Sequence, residues 1–295
     1  MDPTGAGPGI WQQLEGAYLV PKWWPVVASF YYYSFTICLA SFLRNISRNI
    51  FPRKTVIYIL DLITTFQVCA CSLENASVRF YHGFPGYLFA VFTLATLHNV
   101  THKGFRGNPL ANVTGYMRNE QTLQKTILRM AFQMTGGLMS YRYAKTLWKF
   151  RLNDIHLTRA DMLCRNDLSV DPTLGFLVEF AGTVFETYIS FCTISSKPAI
   201  DLAVKQTIAI INLALAVELT GYYLNPANAT AQTFGCGGSN PSIFIVVYWI
   251  GPIVATAGAV YLRSNLKTLL GRPDKGDPDH FIKKKRPRFR NFKRD

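Results

Sequence analysis

Asn-Pro followed by leucine or alanine occurs twice, as Asn108-Pro109-Leu110 and Asn225-Pro226-Ala227, 117 residues apart. An acid with a threonine four positions later precedes each box: Asp61…Thr65 and Glu179…Thr183, offset by 118. A glycine inside an apolar run follows each box, at Gly136-Gly137 and at Gly251-Pro252, offset by 115. Three landmarks with nearly one offset divide the chain into two related halves. Each half carries one such box in an apolar setting.

That setting is membrane-like. The chain has 295 residues, 49% hydrophobic and only 16% charged, too apolar for an ordinary soluble domain. The apolar residues gather in runs near bilayer length: 24–43, 56–72, 87–100, 126–147, 174–195, 202–220 and 242–262. The third is short and merges with the first Asn-Pro segment. The first 23 residues hold Asp2, Glu15 and Lys22 and no cleavable leader, so run 24–43 stays as an extra transmembrane helix. The division expected is an N-terminal tail (1–23), the extra helix, a first pore repeat (55–147), an extracellular or lumenal loop (148–173), a second pore repeat (174–263) and a disordered basic tail (264–295).

The net charge of +14 does not read as nucleic-acid binding, because it concentrates at one end. From Arg263 onward 12 Lys/Arg stand against 4 acids. A basic tail after an apolar helix marks the cytosolic side and attracts anionic lipid. Arg44, Arg48, Arg53 and Lys54 between the first two runs, and Lys103 and Arg106 before the first box, belong to that side too. The loop from Lys149 to Asp171 balances its bases with acids and suits the opposite side, as does the N-terminus. Asn75 heads the one sequon placed where glycosylation is feasible.

Asparagine caps helices and proline favours the first helical position, so each box starts a helix. A helix starting inside a membrane leaves free N–H groups that lipid cannot satisfy, so it must line a polar cavity within the protein. Two such half-helices entering from opposite faces bring their partial positive ends together and repel cations and protons. The asparagine amides then donate to a passing oxygen. Asp61 and Glu179 read as supports that accept N–H bonds from the loop before the neighbouring half-helix.

The two boxes, Glu179-x-x-x-Thr183, Thr220-Gly221 and Tyr248-Trp249-Ile250-Gly251-Pro252 together resemble the aquaporin (major intrinsic protein) family over about 55–263. Asn-Pro-Leu in the first box and Cys236 nine residues after Ala227 are similar to the unorthodox superaquaporin group, as are Thr65–Cys71 and the extra first run. The resemblance implies an all-α multi-pass fold: an inverted repeat of six helices and two half-helices, plus the extra helix. It also implies a homotetramer, frequently in intracellular membranes such as the endoplasmic reticulum. Where orthodox members carry an arginine after the second box, this chain has Asn228. The family's spacing puts Leu213 and Tyr222 beside it at the outer constriction, with Phe89 or Ala90 from the second helix. Without the arginine's charge and five donors, weaker discrimination is expected among water, hydrogen peroxide and glycerol.

Cys164 and Cys236 fall on the oxidising side; a disulfide between them and simple packing of Cys236 under the loop both remain open. His98 and His102 share an i, i+4 spacing at a helix end and read as solvated or loop-packed. No metal, cofactor or enzyme motif is expected. A closed-pore structural protein and an ion-coupled transporter with inverted repeats remain alternatives to a passive channel, and a seven-helix receptor does not explain the repeat.

Overall fold

A computed structural model describes residues 23–161, 164–238 and 240–269. Within them the chain is helical apart from turns and one isolated bridge between Arg165 and Gly237. The helices in order are α1 Trp24–Ile50, α2 Arg53–Thr101, α3 Leu110–Met117, α4 Leu123–Trp148, α5 Asp154–Asp161, α6 Pro172–Phe191, α7 Pro198–Thr220 and α8 Pro226–Thr233. The last rod is α9 Pro241–Ile245, a π-helical turn Val246–Ile250, and α10 Gly251–Leu269. The basic tail beyond Leu269, its expected contact with anionic lipid and the N-terminal tail lie outside the described residues.

Five of these rods are long and apolar enough to cross a bilayer: α1, α2, α6, α7 and 241–265. α2 has 49 residues, but Gly83 interrupts it at φ 65°, ψ −170°, two residues before Pro85. Proline cannot continue the ladder and glycine admits the left-handed angle, so two spans meet there. The second span ends at Thr101 and does not merge with the Asn-Pro segment, a difference from the hydropathy reading. α4 falls outside the apolar set despite its 26 residues, because Arg129, Arg142 and Lys145 sit within the expected run.

α1 continues to Ile50 rather than ending near residue 43. Arg44, expected in a loop, is buried inside it and donates to Gln67 Oε1 at 2.7 Å. At the other end of the interface Glu74 of α2 accepts from Ser29 of α1 (2.7 Å) and Trp148 of α4 (2.8 Å), and pairs with His156 of α5 at 2.9 Å. All three Glu74 contacts are buried, which fixes the extra helix and the loop helix α5 to the bundle through polar groups that lipid could not serve. His98 and His102 are stacked at 4.9 Å rather than solvated, and burial pushes the His102 imidazole down to about 3.

The twin glycines after the first box set the helix spacing. A Cβ on Gly136 would lie 2.3 Å from the Leu62 carbonyl oxygen of α2, and one on Gly137 2.8 Å from that of Ala227 in α8. Small residues let backbones approach where hydrophobic drive between helices is weak. α4 is thereby wedged between α2 and α8. The counterpart Gly251 is looser, with its nearest ring atom, on Phe176, at 3.1 Å.

Candidate functional site

The two Asn-Pro boxes meet. Asn108 Oδ1 accepts from the Leu110 amide at 3.0 Å, and Asn225 Oδ1 accepts from the Ala227 and Asn228 amides at 3.1 and 3.3 Å. Each side-chain oxygen therefore caps its own half-helix, α3 or α8, as expected of asparagine before proline. The nitrogens cross over. Asn108 Nδ2 donates to the Leu224 carbonyl and Asn225 Nδ2 to the Gly107 carbonyl, both at 2.8 Å. An amide nitrogen carries two hydrogens, so the crossing uses one on each side and leaves one to donate elsewhere.

The second half-helix is supported as its acid predicts. Glu179 is fully buried and accepts from Thr220 Oγ1 at 2.7 Å and from the Tyr223 and Leu224 amides at 3.0 Å. Gly221 (φ 82°), Tyr222 (φ 45°) and Leu224 (φ 46°) take left-handed angles there, so this loop needs that bracing.

Asp61 departs from the expected role. It holds no loop amide; it pairs with Arg129 through both oxygens, at 2.5 and 2.9 Å. Aspartate is one methylene shorter than glutamate, and a guanidinium opposite matches its two oxygens. The loop before the first box is held instead by Gln133, which donates to the Arg106 carbonyl at 2.7 Å and accepts from Asn112 at 2.8 Å. Gln133 and Arg129 were masked in the sequence by their apolar run, although polar side chains at such depth are the signal that would have found them.

At the expected constriction, Asn228 Nδ2 donates to Ser72 Oγ at 3.1 Å, and Gln232 Nε2 to the same oxygen at 2.7 Å. Ser72, missed in the sequence, thus anchors the amide expected in place of the arginine. The Tyr222 ring covers Gly182 of α6, where a Cβ would lie 2.6 Å from Cε2. Leu213 and Ala90 are half-buried, whereas Phe89 is 73% exposed.

Cys164 and Cys236 form a disulfide with Cα atoms 4.8 Å apart. This resolves the two open readings in favour of the bridge, and it ties the loop after α5 to the end of α8. Asn75 corrects the glycosylation reading: it is buried mid-helix at 6% exposure, and its Oδ1 accepts from Tyr33 at 2.7 Å. A sugar has no room there.

No family model matches the chain. The solved aquaglyceroporin from Plasmodium falciparum superposes with a TM-score of 0.52 at 16% identity, covering 70% of this chain and 93% of that one. "Aquaporin-11" of Milnesium tardigradum is 23% identical over 254 residues, 85% of this chain and 92% of its own length. The chain is similar to proteins named aquaporins. "Aquaporin-12" of Mus musculus is 25% identical over 244 residues, 79% of this chain and 83% of its own. The fold is aquaporin-like and all-α, and the protein is a multi-pass membrane protein similar to the unorthodox aquaporins.

Proposed function

We propose that the chain is a passive membrane channel for water and small neutral solutes, with hydrogen peroxide and glycerol as the further permeants. The crossed bonds, from Asn108 to the Leu224 carbonyl and from Asn225 to the Gly107 carbonyl, carry this reading. They hold two helix N-termini face to face and leave one donor on each amide, an arrangement suited to orient a passing oxygen while opposing cations. Pro109, Leu110, Pro226 and Ala227 shape the two helix starts. Asn228, Leu213, Tyr222 and Ala90 form the outer constriction, whose neutral amide discriminates less than a guanidinium would. Aquaporins as relatives support the solute class, and the resemblance supports a homotetramer in an intracellular membrane such as the endoplasmic reticulum.

Stopped-flow light scattering of proteoliposomes tests this. Osmotically driven flux of water, glycerol and hydrogen peroxide should exceed that of empty vesicles and be indifferent to proton or sodium gradients. Equality with empty vesicles for all three solutes would reject the channel and favour a closed structural protein. Dependence on either gradient would favour a coupled transporter.

A further inference from the structure

Glu186 lies within α6, seven residues after Glu179 and about 10.5 Å further along the helix axis. The buried positions of α6 are Gly175, Glu179, Gly182 and Thr183, while Leu174, Leu177, Phe185 and Tyr188 are exposed. A spacing of 3, 4 and 7 residues continues the buried stripe to Glu186, directly past the glycine that the Tyr222 ring covers. The Tyr222 phenol is within electrostatic range of both the Glu186 and Glu179 carboxylates.

The inverted repeat supplies an independent reading of the same position. The residue seven after Asp61 is Val68, and a Cβ on Gly107 would fall 2.6 Å from Val68 Cγ2. Gly107 is the residue whose carbonyl accepts from Asn225. Val68 therefore packs against the strand of backbone leading into the first box. Glu186 occupies the matching place in the second half, where the first half has a valine.

Asn212 of α7 donates to Glu186 Oε1 at 2.8 Å. Among the described residues Oε2 accepts from nothing, and Glu186 is half-buried rather than sealed. A carboxylate inside a span is costly and belongs in a polar cavity. We infer that Glu186, positioned by Asn212, is a specificity-determining residue in the conduit wall, presenting Oε2 as an acceptor to solutes rich in hydroxyl donors, small polyols above all. The assignment rests on the channel reading. A polyol entering single file gives up several donor bonds to water, and a charged acceptor replaces one of them. Water loses fewer and depends on the station less.

The test compares the wild type with Glu186→Gln and Glu186→Leu in proteoliposomes, reading the ratio of glycerol to water permeability. Glutamine keeps the size but must turn its oxygen to Asn212, so its NH2 faces the conduit and an acceptor becomes a donor. The ratio should fall roughly tenfold in both variants, the scale of one charge-assisted hydrogen bond. Should either variant fail to reconstitute, Glu186→Asp, which retains the acceptor one methylene further back, should give an intermediate ratio. A wild type that conducts both solutes and a Glu186→Gln ratio equal to it would overturn the assignment while leaving the channel intact. A wild type no faster than empty vesicles would remove the channel reading itself, and the assignment with it.

Discussion

Glu179 serves two backbone amides and a hydroxyl in a place water does not reach. Glu179→Leu would leave the Tyr223 and Leu224 amides without acceptors, at about 1–3 kcal/mol each. The variant should unfold at markedly lower temperature in detergent and lose flux, because the loop it braces delivers the carbonyl that Asn108 grips. Asp61 behaves differently, since its partner is a charge. Asp61→Asn strands the Arg129 guanidinium and should cost on the order of 2–3 kcal/mol, less than a fully buried pair because Arg129 is 19% exposed. The double variant Asp61→Leu/Arg129→Met should recover most of that loss; a double variant no more stable than Asp61→Asn would show that the pair is not coupled. The acids at 61 and 179 stood out in the sequence because carboxylates are rare in apolar runs. Their partners did not: whether an acid meets a backbone amide or a guanidinium depends on a methylene of reach and on a residue 68 positions away.

At the scale of elements, glycines set how closely α4 approaches α2 and α8. Gly137→Ala would drive a Cβ to 2.8 Å from the Ala227 backbone. The half-helix α8 would have to shift, with about 1–3 kcal/mol of destabilisation from overpacking and slower water flux. Gly258→Ala on α10 meets nothing within 4 Å and should change neither; equal effects of the two variants would contradict the wedge. The disulfide acts on the other end of α8. Cys236→Ser releases the loop and should cost about 2–5 kcal/mol, and a reductant should lower the unfolding temperature of the wild type while leaving the variant unchanged. Helix starts were readable from Asn-Pro because the signal is local. The break at Gly83 was readable only in part, since glycine and proline also occur in unbroken spans.

For the molecule as a whole, the doubled landmarks disclosed the inverted repeat because both halves must solve one problem: ending a helix start inside a membrane without bare N–H groups. The repeat is imperfect where the halves differ in chemistry. Gln133 holds the loop before the first box as Glu179 holds the loop before the second, and Glu186 replaces the apolar Val68. The extra helix α1 is secured by Glu74, Gln67 and their buried partners, contacts that no periodicity announces. The proposed channel requires that the crossed asparagines border an open conduit. High-resolution cryo-electron microscopy of the protein in lipid nanodiscs tests it most directly. Ordered oxygen density about 2.7–3.2 Å from both Asn108 Nδ2 and Asn225 Nδ2, continuing past Glu186 and Asn228, is the predicted result. Both remaining amide hydrogens bonded to protein, with side chains filling the space between the boxes, would contradict it.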